Sequence, residues 1–96
     1  MIINETLLLG YRSRTFNVYE RQIEEDWARD DKDGVSDLID GWVRTVASES
    51  DFNESKIDQI VEKIVAHMLG RRESGISPFA AVDEIRLLMI EKGLNP

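Results

Sequence analysis

The residues best suited to chemistry lie in the segment DDKDGVSDLIDG, residues 30–41, where acidic side chains precede a glycine as they do in calcium-binding loops. Such a loop needs oxygen ligands at positions 1, 3, 5, 9 and 12 and a glycine at position 6. With Gly34 at position 6, carboxylates fill four ligand positions, those of Asp31, Asp33, Asp37 and Asp40. Position 1 is Arg29, however, and a cation in place of a ligand costs such a site several kcal/mol. We therefore predict no metal site in this segment.

The same acidic residues suit the start of a helix. Asp33 precedes Gly34 and Val35, and we predict that it is the N-cap that accepts hydrogen bonds from the first free amides. Asp37 and Asp40 would follow near the positive end of that helix, where each negative charge stabilises it by roughly 0.3 to 1 kcal/mol. This interpretation needs no bound ion, so we prefer it to the calcium loop.

Residues for catalysis are scarce. His67 is the single histidine and the chain has no cysteine, so neither a zinc site nor a cysteine–histidine pair can be assembled. No GxSxG turn is present to carry a serine nucleophile. Arg71 and Arg72 are interpreted as charges at a helix end in preference to an anion site. The sequence predicts no catalytic residue and no cofactor, and therefore no enzyme.

The negative charge of the chain is concentrated in one segment. The formal net charge is −7, and residues 20–40 alone hold nine acidic and three basic side chains, a balance of −6. A concentrated negative field repels nucleic acid and attracts basic surfaces. The segment is an ordinary solvated face, a docking surface for a basic protein or, least favoured, a site for a metal or for phosphate with Mg²⁺. We predict a basic protein partner, such as one that handles nucleic acid, and no direct contact with DNA or RNA.

Tryptophans accompany these acids. Trp27 and Trp42 fall on the apolar faces of neighbouring predicted helices, where core packing is the default. A tryptophan beside acidic residues is also typical of a protein-binding hot spot. The predicted contact surface therefore combines Trp27 with the acids around it: Glu20, Glu24, Glu25, Asp26, Asp30, Asp31 and Asp33.

Two segments in the middle of the chain have the apolar spacing of amphipathic helices. In both, apolar residues recur three and four positions apart, which gathers them on one stripe of a helix. The first stripe consists of Val35, Leu38, Ile39, Trp42, Val43 and Val46, and the second of Ile57, Ile60, Val61, Ile64, Val65 and Met68. Asn53 or Ser55 is the predicted N-cap of the second of these helices, and Gly70 or Gly75 its end.

The last segment has clear helix boundaries and the first does not. Ser77 is a predicted N-cap, Pro78 stands at the first helical position, and Gly93 is a C-terminal stop. Apolar residues in the interior of this helix face more than one side, so it is either central to the core or partly committed to an interface. At the other end, we predict a helix from about Tyr19 to Asp30, preceded by residues 1–18 as a helix or a strand-bearing arm.

Length and composition fit one small domain. The 96 residues, 42% of them hydrophobic, predict a single helical domain over residues 1–96, all-α, a compact bundle of about four helices. The N-terminal stretch MIINETLLLG is too short and too poor in basic residues for a signal peptide or a membrane span. We therefore expect a cytoplasmic protein without membrane contact.

These features together favour a non-enzymatic regulator or inhibitor that docks on a basic partner. Its carboxylates would occupy the positions of phosphates, as in a nucleic-acid mimic. Phage-encoded inhibitors, immunity proteins and antitoxins share this physical design. The alternative is a homodimeric structural or assembly module that uses the apolar surface of the last helix. A metal-dependent enzyme or a calcium sensor is the least supported hypothesis.

Overall fold

The computed structural model describes residues 18–96, and these form an all-α bundle of four helices without a strand. The described part of α1 covers residues 18–28, and it is followed by α2 (Lys32–Ala47), α3 (Glu54–Arg72) and α4 (Pro78–Glu91). The predicted fold class is confirmed. The hypothesis of a helix or a strand-bearing arm at the N-terminus falls, except for Val18, outside the described residues.

Two of the three N-caps are those that the sequence predicts. The side chain of Asn53 accepts a hydrogen bond from the Lys56 amide at 2.8 Å and begins α3. The side chain of Ser77 likewise accepts from the Ala80 amide at 3.2 Å, with Pro78 in the first turn of α4. These bonds satisfy amides that have no partner inside the helix.

The cap of α2 differs from the prediction. Asp31, and not Asp33, has the extended backbone of an N-cap and accepts a hydrogen bond from the Gly34 amide at 3.0 Å. The reason lies in the end of α1. Asp30 adopts the left-handed conformation, with φ of 62°, and the Asp31 amide turns back to the Asp26 carbonyl at 2.9 Å. This Schellman-type stop ends α1 at residue 28, which is two residues before the predicted end, and leaves Asp31 ready to begin α2.

A left-handed glycine also ends α4, whereas α2 ends at Ser48 without one. Gly93, with φ of 88°, stops α4, and the Leu94 amide reaches the Met89 carbonyl at 2.9 Å, as predicted for this glycine. In contrast, α3 continues through Gly70 to Arg72, and Gly75, with φ of 75°, lies in the turn that follows. Gly75 therefore marks the turn and Gly70 is an ordinary helical position.

All four helices contribute to one hydrophobic core. Ile23 and Trp27 come from α1, and the predicted stripes of α2 and α3 supply most of the remainder. Trp42 is fully buried, which confirms its assignment to the core. The fully buried side chains of largest volume are Trp42, Ile23, Ile39, Ile64, Met68, Ile85, Met89, Val35 and Val43.

Helices α1 and α2 form an antiparallel hairpin. Near the start of α1, the Tyr19 hydroxyl lies 3.2 Å from Thr45 Oγ1, and the Tyr19 ring covers Gly41. Near the end of α1, the Asp26 carboxylate lies against Gly34 in the first turn of α2. The two glycines bring the helices close together, because at either position a Cβ would meet a side chain of α1.

Within residues 18–96, no helix combines the length and apolar character needed to span a bilayer.

Candidate protein-binding surface

The acids predicted to form a contact surface divide into those that hold the fold together and those that do not. Asp26 belongs to the first group: it is only 5% exposed, and its carboxylate is paired with Arg29. Gln22 Nε2 also donates to Asp26 Oδ1 at 3.3 Å. The hydrogen bond that Arg29 donates to Asp26 raises the pKa of Arg29 above its usual value. Asp26 therefore stabilises the α1–α2 turn and offers no surface to a partner.

Trp27 lies in the core and not on the surface. It is 8% exposed, and its Nε1 donates to the Ile76 carbonyl at 3.0 Å, in the segment between α3 and α4. The Arg72 guanidinium lies over its ring at 5.6 Å from the centroid. Of the two interpretations of Trp27, the structure supports core packing, and the hot-spot interpretation has to be corrected because a partner could not reach the indole.

Asp30 is engaged by the same arginine. Its carboxylate forms an ion pair with Arg72 Nη2, and the Arg72 side chain is only 6% exposed although it carries a full charge. Arg72 Nη1 is buried and has no hydrogen-bond partner among the described residues. Arg72 thus joins the end of α3 to the α1–α2 turn through one carboxylate and one aromatic ring.

Three further acids are paired with arginines of α2 and α4. Glu20 accepts from Arg86 of α4, and this hydrogen bond is the main cause that raises the pKa of Arg86. Asp40 and Asp58 share Arg44, at 2.5 Å and 2.6 Å, which connects α2 with the start of α3. Each of these carboxylates thus already has an arginine partner within the protein.

The remaining acids, apart from Asp31 that caps α2, form the part of the hairpin surface that stays open. Glu25, Asp33 and Asp37 are exposed and Glu24 is half-buried, and none of these four has a cationic partner within residues 18–96. We call them the acidic face: Glu24, Glu25, Asp33 and Asp37. Asp33 and Asp37 lie four residues apart on α2, so their carboxylates project from the same side, about 6 Å apart at Cβ. Asp37 was not among the predicted binding residues, although the sequence shows its charge.

The geometry does not resemble a calcium loop. Because α2 begins at Lys32, Asp33, Asp37 and Asp40 are all helical and project along a rod, whereas a calcium loop wraps its ligands around the ion. In the described part of the chain, no three acidic or histidine side chains converge as a metal site would require.

One cluster could not be expected from the sequence. His67 Nε2 of α3 lies 2.7 Å from Glu84 Oε1 of α4, and Arg71 Nε donates to the same carboxylate at 3.1 Å. The hydrogen bond from His67 is the largest cause that lowers the pKa of Glu84. His67 is exposed beside the apolar stripe of α3. The cluster joins α3 to α4.

A basic feature lies on a different part of the bundle. Lys56 and Lys63 of α3 and Lys92 at the end of α4 line an open cleft of about 270 Å³. Lys56 Nζ also lies 4.1 Å from the centroid of the Phe52 ring. The described surface is therefore not uniformly negative.

The comparisons with known proteins add no functional information: no protein-family model, no curated protein and no solved structure matches this chain.

Proposed function

We propose that this chain is a non-enzymatic binding protein that docks the acidic face of its α1–α2 hairpin on a basic surface of another protein and blocks that surface. It would act by occupancy alone, in the cytoplasm, as phage-encoded inhibitors, immunity proteins and antitoxins do. A protein that handles nucleic acid fits the role of partner, because its basic groove already binds negative charge.

One observation supports this proposal above the others. Among the acids of the hairpin, Glu20, Asp26, Asp30 and Asp40 are paired with arginines, yet Glu24, Glu25, Asp33 and Asp37 have no such partner in the described structure. Neighbouring carboxylates of like charge repel one another, so a basic partner would relieve that repulsion as well as form new ion pairs.

The proposed mechanism is mainly electrostatic. Tyr19 is half-buried and hydrogen-bonded towards Thr45, and Trp27 is in the core, so neither serves as the apolar anchor of the contact. An interface of exposed carboxylates accelerates association and fixes orientation more than it adds affinity. Such binding depends strongly on salt, because at 0.15 M the screening length is only about 8 Å.

The proposal is tested first by identifying the partner. Affinity capture from the native host at low salt, followed by mass spectrometry, supplies candidates, and each purified candidate is then titrated with the protein by calorimetry. We expect a partner with a basic surface, whose affinity falls about tenfold or more between 50 mM and 500 mM NaCl.

A matched pair of variants then locates the contact. In the first variant the four residues of the acidic face become amides. In the second, the same number of exposed acids elsewhere become amides, which gives the same net charge: Glu49, Asp51, Glu62 and Glu73. We expect the first variant to lose most of the affinity and the second to keep it. Equal losses in the two variants, or an affinity that does not respond to salt, would show that the acidic face is an ordinary solvated surface.

A further inference from the structure

A row of apolar side chains lies exposed on the outer side of α4. Phe79, Leu87 and Ile90 are 74%, 63% and 53% exposed. The opposite side of the same helix is buried in the core through Ala81, Val82, Ile85 and Met89. With 3.6 residues per turn, Phe79, Asp83, Leu87 and Ile90 fall on one stripe of α4, with Arg86 at its edge. We call these five residues the α4 stripe.

Four of the five residues of the α4 stripe, all except Leu87, are placed symmetrically about its midpoint. Phe79 and Ile90 lie equally far from the point between residues 84 and 85, in opposite directions along the helix. Asp83 and Arg86 also lie equally far from that point, at a shorter distance. If a second copy of α4 packs antiparallel with the two-fold axis at this point, Phe79 of one copy faces Ile90 of the other, and Asp83 faces Arg86. Apolar residues then contact apolar residues, and acids contact bases.

We propose that the α4 stripe is a homodimer interface in which two copies of the chain pack α4 against α4 in antiparallel orientation. Phe79 of one copy contacts Ile90 of the other, and Asp83 contacts Arg86, each contact occurring twice. Leu87 fills the space beside the charged pairs.

The charges of the α4 stripe favour a second copy as the occupant. A partner of one sign would be attracted by either Asp83 or Arg86 and repelled by the other, whereas an antiparallel copy satisfies both. Asp83 is 68% and Arg86 36% exposed, and Arg86 is held in place by hydrogen bonds to Asp83 and Glu20. The Arg86 guanidinium is thus already oriented. In the dimer it would exchange its contact with Asp83 of its own copy for a contact with Asp83 of the second copy.

This interface is independent of the proposed function. The dimer interface lies on α4, whereas the acidic face lies on α1 and α2. A result that contradicts one of the two proposals therefore leaves the other unaffected. If both hold, the dimer presents two acidic faces to its partners, which increases avidity where two basic sites lie within reach.

The orientation is tested by cysteine cross-linking, which is clean because the natural chain has no cysteine. The Phe79→Cys and Ile90→Cys variants are mixed and oxidised, and so are the Asp83→Cys and Arg86→Cys variants. We expect disulfide-linked dimers in both mixtures. Phe79→Cys alone should not cross-link, because positions 79 and 90 are about 16 Å apart along the helix. Efficient 79–79 and 90–90 cross-links, or no cross-link in either mixture, would overturn the proposal.

The strength of the contact is tested by sedimentation velocity over a concentration series. Wild-type protein should show a reversible monomer–dimer equilibrium, and Ile90→Glu should remain monomeric. Asp83→Arg and Arg86→Asp should each weaken the dimer about tenfold or more, because like charges would then face each other, and the double variant should restore it. Far-UV circular dichroism of every variant checks that the bundle is folded, above all for Arg86→Asp, because Arg86 is half-buried and paired with Glu20. A wild-type protein that is monomeric at all concentrations, or a dimer unaffected by Ile90→Glu, would contradict the proposal.

Discussion

Asp30 combines two features that are each unusual for its residue type. Its backbone is left-handed, a conformation that glycine adopts without cost and other residues rarely adopt. Its carboxylate pairs with Arg72, whose side chain is almost completely buried. A glycine at this position would relieve the backbone but leave the buried guanidinium without its carboxylate. The ion pair thus favours aspartate at position 30, whereas the left-handed turn favours glycine.

A pair of variants separates these two contributions. Asp30→Asn keeps a side chain that tolerates the left-handed conformation but removes the charge, and we expect it to lower the free energy of unfolding by about 1 to 2 kcal/mol. Combining Asp30→Gly with Arg72→Met removes the buried charge and the strained backbone together while a flexible apolar chain still covers Trp27. We expect this double variant to be at least as stable as the wild type in urea unfolding. A double variant less stable than Asp30→Asn would show that the guanidinium contributes more than its charge costs.

The Glu84 cluster makes stability depend on pH at the acidic end of the scale. Hydrogen bonds from His67 and Arg71 lower the pKa of Glu84 in the folded state below the unfolded value of about 4.3. The stabilisation is therefore complete above the unfolded pKa and disappears as the pH falls through the lower folded pKa. We expect the free energy of unfolding of the wild type to exceed that of Glu84→Gln by about 0.5 to 1 kcal/mol at pH 5.5, and this difference to shrink as the pH is lowered from there through the folded pKa. Urea unfolding of both proteins across this range measures it, and a difference that is constant with pH would contradict the assignment.

At the scale of the elements, the α1–α2 hairpin depends on close approach at its glycines. Gly34 is an ordinary helical residue by conformation, since its φ is not positive. A Cβ placed on it would nevertheless lie 2.6 Å from Asp31 Oδ2 and closer still to Asp26 Oδ2. The glycine that suggested a calcium loop in the sequence is required here because the carboxylates of α1 and of the cap occupy the space beside it.

The same substitution should have opposite effects at two helical glycines. Alanine is intrinsically better than glycine in a helix by up to about 1 kcal/mol, and a Cβ on Gly70 meets no atom within 4 Å. Gly70→Ala should therefore stabilise the protein by about 0.5 to 1 kcal/mol. Gly34→Ala should destabilise it by about 1 to 2 kcal/mol, because it displaces the Asp31 cap and the buried Asp26 carboxylate. Thermal unfolding of the two variants beside the wild type distinguishes the cases, and a stabilised Gly34→Ala would mean that these side chains relax freely.

Most of the helical architecture follows from local sequence rules. The stripes of α2 and α3, the caps Asn53 and Ser77 and the stop at Gly93 depend on periodicity and on residues near one another in the chain, so the sequence predicts them correctly. The sequence predicts Asp33 as the cap of α2 because it precedes Gly34 and Val35, and it does not indicate that Asp30 ends α1 in the left-handed conformation, which glycine adopts more readily. The division of the acids into paired and open groups was not predictable, since Arg72 and Arg86 reach Asp30 and Glu20 only through tertiary packing.

At the scale of the whole molecule, the core and the ion pairs connect α1 to every other helix. Ile23 and Trp27 belong to the same hydrophobic cluster as the buried residues of α2, α3 and α4. Trp27 also bonds to the segment before α4, and Glu20 to α4 itself. Helix α1 therefore has no separate core of its own and should not unfold by itself.

We expect residues 18–96 to unfold in one cooperative transition. Far-UV circular dichroism measures the loss of all helices, and the NMR resonances of Ile23 report α1 specifically. The two urea midpoints should coincide, as they do for small domains that unfold in two states. Loss of the Ile23 resonances at a clearly lower urea concentration would show that the hairpin separates from α3 and α4 before they unfold.

The two tryptophans give the protein a pair of internal optical reporters. Trp42 is fully buried, and its Nε1 has no hydrogen-bond partner in the described chain, so its excited state has few polar groups around it to relax against. Trp27 donates to a carbonyl and lies under a guanidinium, which is a polar setting for an indole. Trp42 should therefore fluoresce at shorter wavelengths than Trp27. Replacing either residue by phenylalanine leaves a single emitter, one reporting on the centre of the bundle and the other on the joint between α1, the end of α3 and the turn before α4.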